Sequence, residues 1–162
     1  MRAVLLWIEA TSLGDAMRES GPWTYSIVNL THILGISVLF GSVLVLDLRL
    51  LGVWSRRARI ADLSAVIMPV AMAGFLVAVT TGAALLATKA TAYVDNPFLI
   101  IKFPAIAIGM INAGVLNVMP AWREAGVRPL TARERRQLAV FGGVSLTAWT
   151  TAITCGRMIA YW

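Results

Sequence analysis

Four stretches free of Asp, Glu, Lys and Arg decide most of what this chain can become. They run from Ser20 to Leu46, from Leu63 to Thr88, from Phe103 to Trp122 and from Gln137 to Gly156. Each is about 20 residues or longer, the length an α-helix needs to cross roughly 30 Å of hydrocarbon. In lipid such a stretch must be helical, because every backbone N–H and C=O needs an internal partner. The connections between them are short, which makes neighbouring helices antiparallel. The expected fold is all-α: an integral-membrane four-helix bundle, antiparallel and up-down, forming a single transmembrane domain over 1–162. Spans are expected at about 23–50, 63–88, 98–121 and 137–160.

Composition agrees with this reading. The chain is 59% hydrophobic and 14% charged, whereas a soluble domain is about a quarter charged. A small soluble core could not cover so much apolar surface. A soluble enzyme, a disordered chain and a disulfide scaffold are thereby excluded. The single cysteine, Cys155, forms no intramolecular disulfide or cysteine-based metal site by itself and reads as a small packing residue.

The net charge of +6 is unevenly placed. The loop after the first span carries Arg49, Arg56, Arg57 and Arg59, and the loop after the third carries Arg123, Arg128, Arg133, Arg135 and Arg136. The loop after the second has only Lys89, offset by Asp95. The positive-inside rule makes the arginine-rich loops cytoplasmic and puts both termini outside. Arginines beside membrane spans have anionic lipid as their available partner, so nucleic-acid binding is set aside.

Ahead of the first span, the apolar run from Ala3 to Ile8 ends at Glu9 with no small-residue cleavage site, unlike a signal peptide. An amphipathic helix lying in the outer interface over about 3–19 is expected, with an irregular tail as the plainer alternative. Gly21-Pro22 ends it, and Trp23 and Tyr25 anchor the start of the first span. Small residues recur at four-residue spacing as Gly74, Ala78 and Gly82, as Ala105, Gly109 and Ala113, and as Gly143, Thr147, Thr151 and Cys155. Such ridges let helix backbones approach closely.

Ionisable residues inside hydrocarbon are functional candidates by default. Three stand out in the outer half: His32, the only histidine, Lys102 near the start of the third span, and Arg157 near the end of the fourth. Each has polar company at helical spacing: Asn29 before His32, Asn112 on the stripe that Lys102 opens, and Thr147, Thr150 and Thr154 leading to Arg157. Together they suggest an interior cavity open to the outer side. Plainer alternatives exist for each. Lys102 and Arg157 can snorkel to the headgroups, the threonines can bond back to the preceding turn, and the histidine can join two helices. Met68, Met72, Met110 and Met158 read as lipid-facing or core fillers. Asp47 and Arg49, two residues apart, do not share a helix face and read as separately paired, topology-fixing groups.

The run His32-Ile33-Leu34-Gly35, then Gly41 and Asp47-Leu48-Arg49-Leu50-Leu51-Gly52, and the later run Asn96-Pro97-Phe98-Leu99-Ile100-Ile101-Lys102 followed by Asn112-Ala113 resemble the signature of an uncharacterised bacterial family of small four-helix membrane proteins, which implies a multi-pass protein of the bacterial inner (plasma) membrane. More distantly, the chain is similar to HemJ-type protoporphyrinogen oxidases and to the membrane domain of CopD-type copper proteins. The HemJ-type resemblance implies haem binding by a first-span histidine and a lysine opening the third span, here His32 and Lys102.

The leading expectation is a haem b-binding redox protein with its site in the outer half of the bundle. His32 would ligate the haem iron, since neutral imidazole is a common iron ligand. Lys102 would be the second ligand or a propionate partner, and Arg157 a propionate partner. Asn29, Asn112, Thr150 and Thr154 complete the candidate cofactor site. A quinone or a periplasmic redox protein would exchange electrons with it, and a homo-oligomer could supply a further ligand. The alternatives are a non-catalytic subunit or assembly factor for a periplasmic redox or metal protein, and transport of a metal or small solute.

Overall fold

The computed structural model describes residues 2–54 and 58–162; Arg56 and Arg57 of the first arginine cluster lie outside the described residues. Seven α-helices and no strands are present among the described residues. They are α1 (Arg2–Glu9), α2 (Ser12–Glu19), α3 (Gly21–Leu50), α4 (Ile60–Thr88), α5 (Pro97–Val118), α6 (Pro120–Glu124) and α7 (Ala132–Met158). Four of them, α3, α4, α5 and α7, are long and apolar enough to cross a membrane. Their outward faces are aliphatic: Ile27, Leu30, Val66, Leu76, Ile111 and Val140 are all more than half exposed. Side chains of this kind in a continuous belt belong against lipid.

The bounds differ from the sequence expectation for identifiable reasons. The expected helix over 3–19 is two helices, because the Thr11 side chain accepts from the Gly14 N–H and starts α2 afresh. α3 begins at Gly21, whose φ of 78° reverses the chain before Pro22 sets the first turn. The third span stops at Val118 rather than 121. Met119, ahead of Pro120, is extended (ψ 134°), and Pro120 opens the separate helix α6. α7 starts early, at Ala132, on a capping box in which Thr131 and Glu134 satisfy each other's backbone N–H groups.

The close helix pairs are α4–α3, α3–α7 and α7–α5. α4 and α5 are consecutive in the chain but do not form a packed pair. The α3–α4 seam is the tightest. A methyl group on Gly74 would fall 2.6 Å from the Leu39 nitrogen, and one on Gly35 would fall 2.9 Å from the Ala78 nitrogen. The glycine–alanine ridge expected on the second span thus packs against α3. On α7 the expected small-residue ridge is displaced: Thr147 is exposed, and the buried face is Leu138, Gly142, Ser145, Ala148, Trp149, Ala152 and Cys155.

Three apolar layers fill the bundle. At the arginine-rich end, Leu46, Leu50, Ile60, Leu116, Ala121 and Leu138 cluster. In the middle, Leu39, Ala71 and Trp149 pack with Phe75; the Phe75 and Trp149 rings meet edge-to-face at 6.2 Å. At the end carrying the termini, Leu5 of α1 packs on Ala90 and Leu99. The N-terminal pair of helices forms a lid here. The Glu9 carboxylate accepts from Thr91 N and Oγ1, both at 2.7 Å, which holds its pKa below the usual carboxylate value. Arg18 donates to the last carbonyls of α4, Ala87 O and Thr88 O, both at 3.4 Å.

Candidate functional site

Between the middle layer and the lid lies the level that carries His32 and Lys102. His32 projects from α3 toward α4, and its ring lies on Gly82: a methyl group there would fall 2.9 Å from His32 Cε1. Any larger residue at position 82 would displace the imidazole. His32 Nδ1 is 3.0 Å from Thr81 Oγ1. The Thr81 hydroxyl already donates to Val77 O at 2.5 Å, so its oxygen is left to accept. That assigns a proton to Nδ1; the ring also hydrogen-bonds the Ala78 backbone, and in a neutral ring Nε2 would be the lone-pair nitrogen. The hydroxyl oxygen thereby fixes the rotation of the imidazole ring. Thr81 carried no signal in the sequence beyond being one of several span threonines.

Lys102 extends from α5 toward α7. It is half-buried, and its Nζ lies over Gly156, 3.2 Å from where a methyl group there would stand. Cys155 beside it is buried. The His32 ring is seated on α4 and the Lys102 Nζ on α7, both toward the end of the bundle that carries the termini. The structure therefore brings these two residues to one level of the bundle, from α3 and α5, which are not a packed pair.

The other candidate residues do not join them. Asn29, Thr150 and Thr154 are exposed on the outside of the bundle, contrary to the expectation of inward polar stripes. Span hydroxyls elsewhere show why a polar stripe need not face inward. Thr31, Ser37, Thr80 and Thr147 each donate to the carbonyl four residues back, so the hydroxyl brings its own partner. Arg157 is also exposed; its guanidinium donates to Tyr161 Oη at 2.5 Å and lies 4.9 Å from the centre of that ring. Asn112 is buried but sits ten residues along α5 from Lys102, about 15 Å at helical rise, and donates to Phe141 O at 3.0 Å. It clamps α5 to α7 at a different depth.

A second polar level was read from the sequence as topology-fixing only. Asp47 of α3 is 3% exposed, faces Ser145 of α7, and packs its backbone on Gly142. Its Oδ2 accepts no hydrogen bond. Arg49, two residues on, turns away and donates through Nε to Ala58 O at 2.8 Å. Asp47 thus meets another helix, as expected, whereas Arg49 bonds the connection that follows its own helix and not a neighbouring helix. A serine three positions after Gly142 on the last span could have been matched with Asp47 from sequence, but only with the rotation of α7 in hand.

Among the described residues no three His, Cys, Asp or Glu side chains gather into a metal-ion site. A haem makes a smaller demand on donors, one axial nitrogen, but it also needs room, and neither the hollow between α5 and α7 nor the one at the arginine-rich end is lined by His32 or Lys102. The donor chemistry fits: an oriented imidazole with Nε2 uncommitted, and an amine at the same level. Compared with models of protein families, with curated proteins and with solved structures, the chain matches none.

Proposed function

We propose that the chain is a haem b-binding redox protein of the bacterial plasma membrane, with both termini outside and the haem held at the His32–Lys102 level. The observation that carries this reading is the hydrogen-bonding state of His32. A neutral ring whose Nδ1–H is given to Thr81 has Nε2 left for iron. When bound, haem would supply one-electron transfer, to a quinone or to a periplasmic redox protein.

The chain's own residues have limited, definable tasks. Thr81 fixes the ring's tautomer and rotation. Gly82 lets the ring lie against α4 without a side chain between them. Lys102 of α5 would serve as second ligand in its deprotonated form or, protonated, as counter-charge to a propionate. Arg157 is not part of this group, since it engages Tyr161 at the surface.

The absorption spectrum of protein purified from haem-supplied cells tests the reading. A Soret band that His32→Ala abolishes and Arg157→Gln leaves in place is expected. A colourless wild type, or a band that His32→Ala leaves unchanged, overturns it. A second reading, a non-catalytic subunit for a periplasmic redox or metal protein, draws on the same bond read differently: His32 and Thr81 as a simple α3–α4 clamp. Co-purification of a partner with colourless protein, insensitive to His32→Ala, would favour it.

A further inference from the structure

At the opposite end of the bundle the helix ends enclose a hollow of about 630 Å³ between the two arginine-bearing connections. Arg49, Arg59, Arg128, Arg135 and Arg136 line it, and among the described residues no carboxylate does. Nearby acids are committed elsewhere. Glu124 and Glu134 both hold Arg128, each with an oxygen at 2.6 Å, and Glu134 also caps α7 through Thr131. Asp62 approaches Arg59 only to 3.9 Å, at an exposed position. Arg49 and Arg135 spend one N–H each on Ala58 O and Leu130 O. Arg136 has no partner among the described residues. Arg128 is thus neutralised, and Arg59 is partly offset and donates to Gly126 O, whereas Arg49, Arg135 and Arg136 bring guanidinium charge to the hollow that no carboxylate among the described residues pairs.

The floor of the same hollow is aliphatic, formed by Leu50, Ile60, Leu130 and Leu138. A free anion would gain nothing from that floor. A molecule with a phosphate at one end and hydrocarbon beside it satisfies both surfaces, the phosphate by bidentate guanidinium contacts. We infer that this hollow is a binding site for the phosphate headgroup of an anionic phospholipid. The inference does not rest on the haem reading, since it uses other residues at the other end of the molecule. It goes beyond general attraction of arginines to a charged leaflet, because it selects the arginines that line the hollow over those outside it.

Native mass spectrometry of the full-length protein in detergent, titrated with phosphatidylglycerol, phosphatidylcholine and inorganic phosphate, tests it. Retention of phosphatidylglycerol over phosphatidylcholine is expected. Each arginine near a lipid phosphate is worth about fivefold in affinity, so Arg135→Gln/Arg136→Gln should cut retention roughly tenfold or more. Arg133→Gln, the same charge change on an exposed arginine outside the hollow, should leave retention within about twofold. Arg136→Gln alone touches no internal bond and keeps the test independent of folding. Equal losses from Arg133→Gln and Arg136→Gln, or no preference between the two lipids, would overturn the site. Displacement of the lipid by inorganic phosphate would identify a soluble-anion site and overturn the lipid assignment.

Discussion

Helix α3 carries a half-buried histidine, His32, and a buried aspartate, Asp47, and the two are treated differently by their neighbours. His32 meets α4, where a glycine clears space for the ring and a threonine takes its Nδ1 proton. Asp47 meets α7, where Ser145 engages the carboxyl group and Oδ2 is left with no partner. One residue is oriented with a ligating atom to spare. The other is enclosed in an aliphatic layer with an oxygen unsatisfied. The contrast shows that burial in a membrane bundle does not define a role by itself. What decides is which atom the surroundings leave available.

The largest effect expected is from breaking the frame that holds both levels. Gly74→Leu places a side chain where the Leu39 backbone lies, at a cost of about 3 kcal/mol or more. Thermal unfolding in detergent should show loss of the cooperative transition; a variant as stable as wild type would contradict the seam. At the aspartate level, Asp47→Ala removes the group that engages Ser145 and should cost about 1–3 kcal/mol. Asp47→Asn keeps an acceptor for Ser145 and removes a carboxylate that is costly to bury, so it should stay within about 1 kcal/mol of wild type. Equal losses from the two variants would show that the carboxylate charge itself is needed. At the histidine level, Thr81→Val removes one inter-helix bond, worth about 0.6 kcal/mol on average in membrane bundles, yet it should disturb haem affinity far more than stability.

The smallest effect belongs to the lid. Glu9 has a lowered pKa because Thr91 donates to its carboxylate through side chain and backbone. A lowered folded pKa means the stabilisation is complete above the ordinary value of 4.5 and fades as pH falls through the folded value. Amide exchange in residues 2–9 should therefore quicken at acidic pH and in Glu9→Gln, with α3–α7 unaffected. An unchanged exchange rate in both would detach Glu9 from lid docking.

The architecture could be read from the sequence because charge-free length and helical hydrogen bonding leave few choices in lipid. Two boundary signals were also present: Pro120, which forces Met119 out of the helix, and the Thr131-x-x-Glu134 capping box. The site could be read only in part. His32 and Lys102 stood out because they are ionisable within or beside charge-free stretches, and the structure brings them to one level. The threonine stripe could not be oriented, because a hydroxyl bonded to its own helix is content on either face. The rotation of each helix was set by contacts such as Gly74 against Leu39 and Gly109 against Trp149, which belong to pairs of helices and to no single stretch. Thr81 and Ser145 became visible only once those rotations were known.

The central claim is that His32 offers Nε2 to iron while Thr81 holds Nδ1. Haem titration into the purified protein, followed at the Soret band for wild type, His32→Ala and Thr81→Val, tests it most directly. Saturable binding in the wild type, its loss in His32→Ala and a weakening of about 10-fold or more in Thr81→Val are predicted. Equal binding by all three proteins would contradict it.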